Sequence, residues 1–116
     1  MKKDTLYLVW KDQYNNKYKV GELYKEDNQF FFKYLLDTVK IAMENGFRLL
    51  IAFPQLNAIY YNSHLFPAFS TRVPDKRRPE IDKILSTYNM DKYDEFELLK
   101  RSKGKTPIDD YEFEQK

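Results

Sequence analysis

The chain has 116 residues, the usual size of one domain, and we expect a single domain over residues 1–116. Hydrophobic residues make up 42% and aromatic residues 17%, a content that disordered chains lack, so a folded core is expected. The chain has no cysteine, which excludes a disulfide framework, and its net charge of +2 excludes a strong overall attraction to nucleic acid or a membrane surface.

The apolar segments are short. No stretch reaches the roughly 18–20 apolar residues that cross a bilayer, and the run Leu6 to Trp10 is too short for a signal peptide. The absence of cysteine agrees with a protein that resides in a reducing compartment. We therefore expect a cytoplasmic protein that makes no membrane contact.

The first third of the chain predicts three strands joined by short turns. The strands are predicted at Thr5–Lys11, Tyr18–Lys25 and Gln29–Tyr34, and the turns at Asp12–Lys17 and Glu26–Asn28. Loops this short join antiparallel strands, so a meander is expected. Gly21 interrupts the alternation of the second strand and indicates a bulge or a close backbone approach.

A helix and a further strand are predicted next. Apolar residues fall at helical spacing over Leu35–Asn45, and Gly46 stands where a left-handed cap belongs. The apolar run Phe47–Phe53, ended by Pro54, predicts a fourth and central strand.

The second half predicts two more helices and a last strand after an irregular aromatic loop, Gln55–Ser70. Pro79 favours the first position of a helix to about Tyr88, and Asp94 with Glu97 as its return partner resembles a capping box. Ile108–Glu114 predicts an edge strand. The fold class is α+β: a small antiparallel sheet or partial barrel of about five strands, with three to four helices packed on one side.

The residues needed for catalysis are missing from the sequence. His64 is the only histidine, no serine stands in a nucleophile-elbow context, and no glycine-rich phosphate loop is present. Without cysteine, one imidazole is a poor basis for a zinc site. Carboxylate pairs such as Asp109–Asp110 do not exclude a Mg²⁺ site, but their spacing does not indicate one. We expect no enzyme, catalytic residue, metal or cofactor.

A basic cluster is the first candidate binding feature. Five cations lie within twelve residues, with three acids among them: Arg72, Lys76, Arg77, Arg78 and Lys83, against Asp75, Glu80 and Asp82. Arginine forks suit phosphate or carboxylate, but the same arginines can pair with the neighbouring acids. Nucleic acid is a weak expectation here, because counterion release needs several unpaired cations.

The aromatic loop is the second candidate. Tyrosine and phenylalanine beside an arginine are typical of interface centres, and we expect Phe66 and Phe69 inside with Tyr60 and Tyr61 outside. The predicted partner-binding residues are Tyr60, Tyr61, His64, Phe66, Arg72, Lys76, Arg77 and Arg78.

Four segments carry a family resemblance. They are VGELYKEDNQFFFKY, LLIAFP, LFPAFSTRVPDKRRPEIDKIL and YDEFELLKRSKGK. Over Leu6 to Phe113 the chain resembles the N-terminal subdomain of HipA-type proteins and the small HipS proteins, and similar segments precede HIRAN modules in bacterial proteins.

The resemblance implies a regulatory, non-catalytic module. It implies an antitoxin-like role, in which HipS binds and neutralises a HipA-type kinase toxin, with an aromatic side chain offered near the active site. Tyr60 or Tyr61 suits that role better than Trp10, which lies inside a strand pattern. Two alternatives stay open: a nucleic-acid-associated accessory domain beside a HIRAN-like or helix-turn-helix partner, and a mobile-element-encoded inhibitor.

Overall fold

The computed structural model describes residues 3–116, which form one five-stranded sheet and four helices. In chain order the elements are β1 Asp4–Lys11, β2 Lys17–Glu26, β3 Gln29–Tyr34, α1 Leu36–Glu44, β4 Tyr60–Asn62, α2 Pro67–Ser70, α3 Ile81–Thr87, α4 Glu95–Ser102 and β5 Tyr111–Gln115. All neighbouring strands are antiparallel, in the order β4-β3-β2-β1-β5. The α+β class is confirmed, and the sheet is open. None of the described helices is long and apolar enough to span a membrane.

The predicted meander is confirmed, and its turns follow from residues that tolerate positive φ. Asn15 has φ 68° in the first turn, where Asp12 accepts hydrogen bonds from the amides of Tyr14 (2.8 Å) and Asn16 (2.9 Å). Asp27 and Asn28, with φ 53° and 62°, form the two-residue connection between β2 and β3. Positive φ at both central residues is what a tight hairpin needs to match the strand twist.

Gly21 produces both effects that its position predicted. Leu8 pairs with Gly21 while Val9 pairs with Lys19, so Val20 is an extra residue that bulges β2. A Cβ atom at Gly21 would lie 2.6 Å from Cζ of Phe32, which is fully buried. Only glycine lets β2 and the Phe32 ring approach this closely.

Helix α1 ends at Glu44, and Gly46, with φ +108°, forms the left-handed cap that the sequence predicted. The Phe47 amide donates to the Ala42 carbonyl at 3.0 Å, and the Gly46 amide donates to the Met43 carbonyl at 3.3 Å. These are the two hydrogen bonds of a Schellman cap, which satisfies carbonyls that the helix itself leaves free.

The predicted central strand Phe47–Phe53 is wrong, because this segment is an irregular loop. Its end residues Phe47 and Phe53 are buried, and its backbone bonds to a side chain instead of a strand: the Tyr34 hydroxyl donates to the Phe53 carbonyl (2.7 Å) and accepts from the Leu50 amide (2.9 Å). The place beside β3 is taken by the short strand β4, which the sequence did not predict.

The last helix and strand match the sequence except in detail. Asp94 caps α4 by accepting from the Glu97 amide at 3.1 Å, but the return bond is absent, since Glu97 binds Lys100 and Arg101 instead. Helix α3 begins at Ile81, two residues beyond Pro79. Strand β5 lies at the sheet edge, as predicted, but starts at Tyr111.

Aromatic rings join the sheet to the loop and to α2. The ring centroids of Phe32 and Phe53 are 4.4 Å apart, those of Phe53 and Phe69 5.5 Å, and those of Phe69 and Phe113 5.2 Å. All four rings are almost fully buried, so they fix the loop and α2 against the core face of the sheet.

Candidate binding surfaces

The segment Arg48–Ala52, which we call the apolar loop, lines an open apolar groove. Together with Ala68 and Tyr111 it borders a volume of about 770 Å³. Ile51 is 99% exposed at this groove, and Leu49 and Leu50 are half-buried. A fully exposed isoleucine beside an apolar groove is the kind of surface that marks a binding site.

The apolar loop is held by buried groups beneath it. The Tyr34 hydroxyl bridges Leu50 and Phe53, and burial is the main cause that raises the pKa of Tyr34 to about 12. Its phenol therefore stays neutral and keeps its proton for the bond to Phe53. The groove is preformed because both ends of the loop are anchored in the core.

Arg72 stabilises the groove through its contact with Tyr111. Its guanidinium lies 5.5 Å from the Tyr111 ring centroid, forms an ion pair with Asp109, and donates to the Gly104 carbonyl at 2.8 Å. Burial, followed by the charge of Asp109, raises the pKa of Tyr111. The Arg72 side chain is only 11% exposed, so it braces Tyr111 and is not presented to solvent.

The rest of the predicted basic cluster pairs mainly with its own neighbours. Arg77 bonds to Asp75, and hydrogen bonds from Arg77 lower the pKa of Asp75 to about 2. Arg78 forms an ion pair with Glu80. Of the alternatives left open by the sequence, pairing with adjacent acids is the one observed for these two arginines.

Lys76 and Lys83 differ from the arginines. Within residues 3–116, neither lysine has a carboxylate partner within ion-pair distance. Lys76 lines a shallow depression with Tyr93 and Glu95, between α2 and the start of α4.

The predicted aromatic residues divide between core and surface. Phe66 is 7% exposed and packs edge-on against Phe53 at 5.1 Å, whereas Tyr61 is 72% exposed and His64 is exposed. Tyr60 is half-buried, and its ring centroid lies 4.9 Å from that of Phe53. Its hydroxyl oxygen accepts a hydrogen bond from the Gln55 amide at 2.7 Å. The buried phenylalanines and the exposed Tyr61 match the prediction from the sequence. Tyr60 was predicted to be exposed but is half-buried.

The predicted partner-binding residues fall into separate groups. Tyr60 and Phe66 meet at Phe53, whereas Tyr61, the next residue on β4, lies on the opposite face of the sheet beside Phe31. Arg72 joins the groove through Tyr111. In the described part of the chain, no hydrogen bond or ion pair connects Arg77 or Arg78 to either group.

Sequence reasoning missed the apolar loop because it assigned these residues to a strand. An apolar run of four to eight residues does not distinguish a buried strand from an anchored loop. The available signal was the pair of breakers, Gly46 before the run and Pro54 after it.

No group of three or more metal-ligating side chains that could hold an ion occurs among residues 3–116. The carboxylate pairs for which the sequence did not exclude a Mg²⁺ site do not converge with a third ligand in that range. His64 is exposed on the loop that follows β4.

Comparison with protein families gives a match that covers most of the chain. The family model described as the HipA N-terminal domain matches residues 12–107. Comparisons with curated proteins and with solved structures give no match.

Proposed function

Because the chain belongs to the HipA N-terminal domain family, we propose that it is a non-catalytic regulatory module that binds and restrains a HipA-type kinase. The family supplies a toxin–antitoxin context. The partner, the antitoxin-like role and the lack of catalysis are our proposal, and they rest on the binding surfaces of this chain.

The observation that carries the proposal is the apolar loop. An isoleucine that is 99% exposed at a groove of about 770 Å³ leaves apolar area in water that a partner can cover. Full burial of one such side chain contributes about 1.5–3 kcal/mol. Because the loop is already anchored through Tyr34 and Phe53, little ordering cost opposes binding.

Strand β4 supplies the second contact. Tyr61 projects from a hydrogen-bonded strand and is 72% exposed, so its ring is placed without further folding. Tyr is favoured at binding hot spots because it adds a large contact area at a low entropic cost. Tyr60 is less suited, since its hydroxyl is engaged by Gln55. Tyr61 is therefore our candidate for an aromatic side chain offered to the kinase.

The experiment measures binding to, and inhibition of, a purified HipA-type kinase from the same genome. We expect a complex by calorimetry and slower autophosphorylation in its presence. Ile51→Glu should weaken binding at least tenfold, because it places a charge in the apolar interface. Tyr61→Ala should weaken it by a similar factor, as expected of an aromatic anchor.

Two exposed residues outside these surfaces provide matched controls. Ile41→Glu makes the same change on α1, where the isoleucine is 52% exposed, and Tyr14→Ala removes a tyrosine that is 76% exposed in the β1–β2 turn. Both controls should bind like the parent protein. Equal loss with Ile41→Glu and Ile51→Glu would refute the assigned surface, and a folded protein that neither binds nor inhibits the kinase would refute the function.

A further inference from the structure

The face of the sheet turned away from the helices, which we call the open face, displays aromatic and charged residues in register. Side chains directly opposite one another in antiparallel strands lie on the same face. Tyr61 stands opposite Phe31, Phe31 opposite Tyr24, and Tyr24 opposite Thr5. Three aromatic side chains thus form one continuous row across β4, β3 and β2.

The rings of this row are ordered at one end and uncovered at the other. Tyr24 and Phe31 stack with centroids 5.0 Å apart and planes 11° apart, and Lys3 Nζ lies 4.1 Å from the Tyr24 ring centroid. Tyr61 at the outer end is 72% exposed. The row therefore ends in a free aromatic ring beside an ordered stack.

A mixed row of charges follows the aromatic row. Lys33 stands opposite Glu22, Glu22 opposite Tyr7, and Tyr7 opposite Glu114. Lys19 Nζ covers the Tyr7 ring at 4.6 Å. The second row therefore holds one aromatic ring, Tyr7, between two glutamates, and Lys19 covers that ring.

Lysines outnumber acids on this face. Six lysines make contacts there: Lys3, Lys17, Lys19, Lys33, Lys105 and Lys116. The acids opposite β1 residues of this face are Glu22 and Glu114, which pair with Tyr7, and Glu112, which pairs with Val9. Strand alternation adds Lys11 and Glu26, which leaves the excess of three positive charges unchanged. Since the whole chain carries only +2, its positive charge is concentrated on the open face.

The acids do not neutralise this excess. The carboxylate oxygens of Glu22 lie 3.7 Å from Lys33 Nζ and 3.5 Å from Lys116 Nζ, so two lysines share one carboxylate. Glu112 is likewise shared by Lys17 at 3.4 Å and Lys105 at 3.5 Å. The carboxylates are 8–10% exposed but the lysine side chains are 38–60% exposed, so the lysines face solvent and can pair with an external anion in addition to the glutamate that they share.

We propose that the open face binds single-stranded nucleic acid. A sheet face with aromatic side chains flanked by lysines offers stacking surfaces for unpaired bases and cations for the phosphates. The Tyr61 ring takes one base against the Phe31–Tyr24 stack. Lys33 in the adjoining row, and Lys19 above Tyr7 of that row, meet the phosphate backbone. An acidic peptide would use the lysines but would not need the aromatic row. A duplex keeps its bases stacked out of reach of a flat face.

The test is fluorescence anisotropy of the full chain with a labelled oligothymidine of about 12 nucleotides, repeated over a range of salt concentrations. We expect binding that weakens as salt rises. Tyr61→Ala should reduce affinity roughly 5- to 150-fold, the range for losing one stacked base. The double variant Lys19→Gln with Lys33→Gln should lower the slope of log K against log salt by about 1.4, at about 0.7 per phosphate contact.

Controls separate this surface from the others. Lys76→Gln with Lys83→Gln removes the same charge elsewhere and should leave affinity and slope unchanged. Ile51→Glu should bind the oligonucleotide normally while losing the protein partner. Equal binding of polyglutamate with no effect of Tyr61→Ala, tighter binding of the matching duplex, or no binding at low salt would each overturn the proposal.

Discussion

Replacing Tyr34 by Phe tests whether one buried hydroxyl holds the apolar loop in place. The change removes only the oxygen, which donates to the Phe53 carbonyl at 2.7 Å and accepts from the Leu50 amide at 2.9 Å. The ring and its edge-on contact with Phe32 at 5.2 Å are retained. Any effect therefore reports on the two hydrogen bonds and not on packing.

The expected cost follows from the burial of the two partners. Phe53 is 2% exposed, so its unpaired carbonyl would stay out of water, at about 1–3 kcal/mol. Leu50 is half-buried and water can reach its amide, so that bond contributes about 0.5–1.5 kcal/mol. The unfolding free energy should fall by about 2–4 kcal/mol, which for a chain of this size lowers Tm by roughly 6–20 °C.

Urea unfolding gives the stability, and amide hydrogen exchange locates the effect. The Leu50 amide should lose protection more than amides in β1, because local opening of the loop becomes easier. Tyr14→Phe is the control, since its side chain is 76% exposed. A Tyr34→Phe protein within about 0.5 kcal/mol of the parent, with Leu50 protection unchanged, would refute this explanation of the loop.

Two further predictions concern alkaline pH and a helix cap. Burial raises the pKa of Tyr34 from 10.0 to about 12, so between these pH values the unfolded chain loses this proton before the folded protein does. The unfolding free energy should therefore decline as pH rises from 10 to 12, and in a pH series of urea titrations the decline should be shallower for Tyr34→Phe; identical slopes would contradict it. Asp94→Ala should cost about 1 kcal/mol by removing the cap of α4, whereas Asp94→Ser should retain most of it; equal urea midpoints for the two variants would contradict the capping role.

The parts of the fold that the sequence predicted are those set by local chemistry. The Asp27–Asn28 turn, the glycine that ends α1 and the Asp94 cap each depend on residues within a few positions. Their backbone requirements are met by only a few residue types, so the sequence identifies them.

The errors arose where distant residues decide the structure. Phe47–Phe53 has a strand's composition, but the Tyr34 hydroxyl bonds to its backbone and Tyr60–Asn62 occupies the strand position beside β3. A local sequence pattern does not show which of two segments pairs with a given strand of a sheet.

The candidate surfaces were predictable only in part. An exposed Tyr61 was predicted from the irregular, aromatic segment in which it lies. That Arg72 turns inward to Asp109 and Tyr111 depends on a partner 37 residues away, which the sequence does not reveal. The open face needed the register of five strands before its rows of side chains could be recognised.

The central position of β1 couples the two ends of the described chain during folding. This strand pairs with β2 on one side and with β5 on the other, so Leu8 contacts Gly21 and also Phe113. A nascent chain can form the meander early, but β1 keeps one unsatisfied edge until residues 111–115 leave the ribosome. Pairings this distant in sequence slow folding, and the half-built sheet is the species that a chaperone would need to shield.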